Sequence, residues 1–151
     1  MANETKPVLV TLRSASRNGE EETPVMSLRC QGMLRPTSTG CMLRYQEVQK
    51  DEDSGNIVSQ DVILAMQPDR VTMTRLGDYG TTMVFIKDRR FEGAYHTPYG
   101  DLELALYATQ VHVQMTPEGG SVHLEYQLDM QGSYAAVQVI DVSYIFAEGA
   151  C

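Results

Sequence analysis

No run among the 151 residues approaches the roughly eighteen apolar positions that a membrane-spanning helix needs. No CxxC, HxH, HxxxH or HExxH occurs, and GxSxG and SxxK are missing too. These absences remove the usual signatures of a redox pair, a zinc site and an activated serine. The glycines fall at turns, not in front of a helix, so no phosphate-cradling loop is visible. The N-terminus, MANETKPVLV, has no basic region followed by a long apolar block, which makes the cytoplasm the expected location. No segment carries a convincing helical stripe.

Positive charge is also scarce. Twelve lysines and arginines face 20 acids, for a formal net charge of −8, and the arginines (Arg13, Arg29, Arg44, Arg75 and others) are scattered. Such a chain repels phosphate backbones and anionic lipid, so neither nucleic acid nor membrane is an expected partner. The cysteines are three, Cys30, Cys41 and Cys151. An odd count without close spacing points to reduced thiols in a reducing compartment. Cys30 and Cys41 lie among apolar residues and read as small core fillers. Cys151 is at most an incidental oxidation site. With 42% apolar and 21% charged residues the chain is of the folding kind, and its length suits one domain over 1–151 with an ordered core of roughly 7–146.

What is present is alternation. In SVHLEYQLDM, Val122, Leu124, Tyr126, Leu128 and Met130 alternate with His123, Glu125, Gln127 and Asp129. In MSLRCQGML, Met26, Leu28, Cys30, Gly32 and Leu34 share one face. Each pattern is that of a strand with one dry side and one wet side. PVLVTLRSA, CMLRYQEV, DVILAMQ, RVTMTRL, TTMVFI, RFEGAY and AVQVIDVSYIF read the same way. Turn residues separate them in SRNGEEETP, RPTSTG, DEDSGN, QPD, GDYG, TPYG and TPEGG. The expectation is an all-β fold, a single antiparallel barrel of about eight to ten strands.

Two local readings sharpen this. Around TPEGG, placing Val113 opposite Leu124 and Val111 opposite Tyr126 keeps apolar residues on one side, with 117–120 as the loop. His112 then faces Glu125 and His123 faces Gln114, both outside. Upstream, Leu102, Leu104 and Leu106 are even-numbered, whereas Val111, Val113 and Met115 are odd. The phase therefore flips between Tyr107 and Gln110, which predicts a bulge or sharp bend. Thr97-Pro98-Tyr99-Gly100 has the composition of a type I turn.

Chemistry-bearing constellations are few. The three histidines have no metal-ligand spacing, and the acid pairs of DEDSGN and EEET lie in loops, so neither a metal nor an enzymatic activity is expected. Ser133 after Gly132 is turn chemistry. The dry faces hold the one set worth pursuing. Tyr45 and Glu47 share the parity of Cys41 and Leu43, Arg75 that of Val71 and Met73, and Tyr95 that of Phe91. An inward ionised group is costly unless paired, so Glu47 and Arg75 are expected to neutralise each other, with the Tyr45 or Tyr95 hydroxyl completing the hydrogen bonds. This set is either a structural pair at a barrel end or the polar anchor of a ligand cavity.

Tyr45-x-Glu47, Arg75-x-Gly77, Thr97-Pro98-x-Gly100 and Leu124-x-Tyr126, in that order and spacing, resemble the YwiB-like bacterial proteins, a domain family of unknown function. The resemblance spans Pro7 to Phe146 and implies a calycin-like, lipocalin-related β-barrel. It implies no activity, cofactor or catalytic residue.

Two functions fit such a barrel. In one, the lumen holds a small, partly apolar ligand against Tyr45, Glu47, Arg75, Tyr95 and Tyr126, with methionines (Met26, Met42, Met66, Met73, Met83) as an adaptable lining. In the other, the interior is filled and the outer surface serves protein interaction. Met83 to Ile86 is apolar on both parities, so a homodimer contact or a packed terminal segment is expected over its outer face.

Overall fold

A computed structural model describes residues 5–18, 21–50, 55, 57–77 and 80–147. Among them there are ten strands and no helix, so no helix is long and apolar enough to cross a membrane. The strands are β1 (Lys6–Asn18), β2 (Glu21–Pro36), β3 (Cys41–Lys50), β4 (Ile57–Gln67) and β5 (Arg70–Arg75). The second half comprises β6 (Thr81–Phe85), β7 (Arg90–Thr97), β8 (Gly100–Thr116), β9 (Gly119–Met130) and β10 (Ser133–Phe146). Each strand pairs antiparallel with the one before it, and β10 returns to β1 from Val8–Phe146 to Arg17–Val137. The sheet thus closes on itself as an up-and-down barrel and leaves no free edge strand.

The interior is the dry parity of every strand. Leu43, Val62, Leu64, Val71, Met73, Phe85 and Leu124 are all fully buried. Their outward neighbours, such as Arg44, Thr82 and Gln127, are exposed. Closure needs bends, and they fall where ladder pairing is interrupted. In β8 the register slips between Ala108 and Gln110, where the outward parity changes over, as the flip in Leu102–Met115 predicted. Thr109 is the extra residue, and its hydroxyl donates to the Glu125 carbonyl at 3.0 Å. In β2 the slip lies between Met26 and Thr23. Pro24 stands there and has no N–H to give a ladder.

The hairpin turns match their residues. Thr97 pairs Gly100, the Tyr99 amide donates to the Thr97 hydroxyl at 3.1 Å, and Gly100 takes φ 128°, closed to most L-residues. Leu102 is a partial exception to the even dry face. It sits at the rim, 36% exposed, whereas Leu104 and Leu106 are buried.

The β8–β9 register corrects an expectation. Val113 faces Val122, and Val111 faces Leu124, two residues away from the anticipated pairing. His112 therefore faces His123, not Glu125, and Gln114 faces Ser121. The cause is Gly119-Gly120, which looks like loop but is strand. A Cβ on Gly119 would meet the Tyr144 carbonyl at 2.0 Å, and one on Gly120 the Tyr144 hydroxyl at 2.4 Å. Bare backbone is what lets β9 run past Tyr144, so the loop shrinks to Pro117 and Glu118. A slip of two preserves every face assignment.

The other expectations divide. Cys41 is buried and Cys30 half-buried against the core. Val84 and Ile86 are half-buried on the outer face. The side chain of Met26, nearly all of the DEDSGN stretch, Asp78 and Tyr79 of GDYG, and Cys151 lie outside the described residues.

Candidate functional site at the upper end of the barrel

The two ends of the barrel differ. The lower end, where β1 begins and β10 finishes, is closed by sulfur and aromatic groups. The Cys41 thiol lies 3.5 Å from the Met115 sulfur and 3.7 Å from the Tyr144 hydroxyl. Tyr144 and Phe146 meet edge to face at 6.3 Å, and the Lys6 ammonium sits 5.7 Å above the Phe146 ring.

The upper end opens through a fork. β2 and β3 pair only between Gly32–Tyr45 and Pro36–Cys41. Above that point the β3–β4 ribbon stays paired to itself through Glu47–Gln60, but Cys30 and Leu28 pair only with β1. β5 likewise ends opposite Val62, leaving the β4 stretch above it without a β5 partner apart from the Leu76 amide, which donates to the Asp61 carbonyl. Gly32 holds the fork together. A Cβ there would lie 2.8 Å from the Arg44 carbonyl and 2.9 Å from Val10, so any larger residue would push β3 off.

The predicted inward set lies at this fork. Glu47 is 6% exposed, and its carboxylate accepts from Arg75, which reaches across from β5. The Arg75 guanidinium also lies 3.8 Å from the Met73 sulfur. Tyr45, 2% exposed, is beside the pair, but its hydroxyl is completely buried and meets no hydrogen-bonding partner among the described residues. It does not complete the Glu47–Arg75 bonding as expected. Burial first, and then the Glu47 carboxylate, push this phenol far above its ordinary range against the pull of Arg75, so it remains a protonated donor. Tyr126 is buried as well, edge-on to Phe85 at 4.8 Å, and burial pushes it up to about 12. Tyr95 stands on β7 with Thr81 between it and Arg75, half-buried against the core. The fork therefore gathers Tyr45, Glu47 and Arg75, with Tyr126 within the field of Arg75 and Tyr95 at the flank.

Three further groups belong to this end. Cys30 faces it, and its thiol is raised by burial first and by Glu47 second. Gln138 points inward opposite Tyr126 and donates to the Ser16 hydroxyl at 3.1 Å. Thr81 is buried and its hydroxyl donates to the Ala94 carbonyl at 3.0 Å. A polar residue on the dry parity was the available signal for each: Gln138 between Ala136 and Ile140, and Thr81 before Met83 and Phe85. Around them Leu28, Leu128 and Met130 are only partly buried although they sit on inward positions.

Outside the barrel, His123 bonds the Asp141 carboxylate and lies 3.9 Å from Glu125, and His112 and His123 rings stand 6.1 Å apart. A groove of about 480 Å³ runs past Leu9, Arg29 and Ile145.

Among curated proteins none matches this chain. The fold is similar to that in the crystal structure of the ywiB protein from Bacillus subtilis, with a TM-score of 0.81 over 97% of this chain and 96% of that one, at 18% identity. That likeness is one of architecture. The family described as a domain of unknown function, DUF1934, matches residues 10–142, from within β1 to within β10, so the match embraces the fork and the bends of β2 and β8, and the chain belongs to that family.

Proposed function

We propose that this barrel is a cytoplasmic, non-catalytic binding protein that takes a small, partly apolar molecule at its forked upper end. One observation carries the reading: a completely buried Tyr45 hydroxyl without a partner among the described residues, beside a buried ion pair, at the place where two strands part. An unpaired buried hydroxyl costs roughly 1–3 kcal/mol. A fold retains that cost most readily where a ligand relieves it. The half-buried Leu28, Leu128 and Met130 supply apolar contact, as small-molecule sites generally require.

Native mass spectrometry of protein taken directly from cells tests this. A retained small mass that is lost in a Leu128→Arg variant, where a cation blocks the mouth, is the expected result. A wild type that carries nothing and binds no small apolar probe would end the reading.

A second reading has its own observation. On the outer face Leu9, Met33 and Ile145 are 46%, 42% and 56% exposed, and Leu9 and Ile145 are cross-strand neighbours. Such a patch suits a contact with another protein or a second copy. Sedimentation of the purified protein checks the dimer, and a strict monomer at all concentrations would remove it.

A further inference from the structure

The fork has a charge balance that discriminates among ligands. Among the inward positions at the upper end whose side chains are described, the charged pair is Glu47 and Arg75, and the two neutralise each other. The other polar groups named at this end, Tyr45, Cys30, Thr81, Gln138 and Ser16, are all neutral. Glu47 is the more buried partner, with 7% of its side chain exposed against 23% for Arg75. An anionic head group seeking Arg75 would have to displace Glu47 and leave a carboxylate buried without a countercharge. A cation seeking Glu47 would strand the guanidinium in the same way. An uncharged acceptor breaks no ion pair, because the buried Tyr45 hydroxyl has no acceptor of its own among the described residues.

From this we infer that the fork selects uncharged, hydrogen-bond-accepting molecules such as carbonyl, amide or sulfonamide compounds, and that Glu47 is the residue that excludes anions. The inference rests on the binding reading above and deepens it. The acceptor meets the Tyr45 hydroxyl, the apolar body lies on Leu28, Leu128 and Met130, and the ion pair stays intact. Glu47 thus acts by occupying Arg75. Removing its charge while keeping its shape would convert the site into one that prefers anions.

Fluorescence titration with two probes of matched ring system tests this: dansylamide, which is uncharged, and dansylglycine, which carries a carboxylate. Wild-type protein is expected to bind dansylamide at least about tenfold more tightly. In Glu47→Gln the ratio of the two affinities is expected to move toward dansylglycine by at least about tenfold, and in Glu47→Gln/Arg75→Met that gain is expected to vanish. Circular dichroism establishes that each variant keeps its strands. Equal affinities in the wild type would overturn the inference whether or not the variants fold. So would a ratio unmoved in folded Glu47→Gln, and in both cases dansylamide binding that Leu128→Arg abolishes would leave the binding reading standing. A wild type that binds neither probe overturns both.

Discussion

The two ends of this barrel solve the same problem in opposite ways. Each must finish a closed sheet without leaving strand edges or apolar surface bare. The lower end does so with shape: Gly119 and Gly120 give up their side chains to make room for Tyr144, which meets Cys41 and Phe146, while the Cys41 thiol also meets Met115. The upper end does so with charge, and incompletely. β3 leaves β2 above Tyr45, a carboxylate and a guanidinium face each other inside the gap, and a phenol hydroxyl is left without a partner. Where a barrel is built only to be stable, packing as at the lower end is enough. The upper end spends stability on polar groups that packing does not demand, and that is the physical reason to place function there.

Stability should follow this division. Phe85, fully buried and edge-on to Tyr126, is expected to cost ~3–5 kcal/mol as Phe85→Ala, through lost contacts and the cavity left behind. Leu128→Ala at the open end should cost ~1 kcal/mol, because that side chain is only partly withdrawn from water. Chemical denaturation of both variants checks the contrast, and equal costs would mean that the upper end is as tightly filled as the rest. Next in size is the ion pair. Glu47→Ala strands Arg75 and is expected to cost ~2 kcal/mol, less than for a fully buried pair because the guanidinium is partly exposed. Glu47→Gln/Arg75→Met should recover most of that loss.

The faces of the strands were legible from alternation alone, and so was the bend in β8, because a change of parity has no other cheap explanation. The inward position of Glu47 and Arg75 followed from the same parity, and their pairing from the cost of a lone buried charge. Other features could not be read this way. The β8–β9 register differs by two because Gly119 and Gly120 carry no pattern of their own, and the ring that requires their bareness, Tyr144, is a strand away in space but some 24 positions along the chain. The fork is invisible for a related reason. Leu28 and Cys30 alternate as well as Leu34 does, and alternation reports which side a residue faces, not whether its strand has a neighbour. The orphaned Tyr45 hydroxyl is a matter of angles at the fork, beyond anything parity encodes.

Alkaline pH offers a smaller effect that still tells the ends apart from the outside. Tyr126 ionises at about 12 in the fold against an ordinary 10.0, and Tyr45 and Tyr144 are raised in the same direction, all chiefly by burial. The folded state therefore holds these phenols neutral more firmly than the unfolded chain does. That contribution is complete below about pH 10 and is lost as pH climbs from there toward 12. Melting temperature should be flat up to that window and fall across it, with phenolate absorbance from these tyrosines appearing only as the barrel unfolds. Tyr45→Phe should not lower stability at neutral pH, and is expected to raise it by ~1 kcal/mol, since it deletes a hydroxyl that burial leaves unpaired. A clear loss on that substitution would show that the hydroxyl has a partner in solution.

The smallest expected effect isolates the role of burial in the comparison. His123 and Asp141 form a pair of comparable intimacy to Glu47 and Arg75, but on the wet face of β9 and β10, with 33% and 52% of their side chains exposed. Water already solvates both groups and competes with their contact. Asp141→Asn is therefore expected to change stability by no more than ~0.5 kcal/mol, with even that difference fading in high salt. Denaturation midpoints for Asp141→Asn and Glu47→Gln, measured side by side at low and high salt, separate the two surroundings. If the outer substitution costs as much as the inner one, burial is not what distinguishes the fork. If the inner cost persists in salt and the outer one does not, the carboxylate inside the barrel is held by a pairing that water cannot replace.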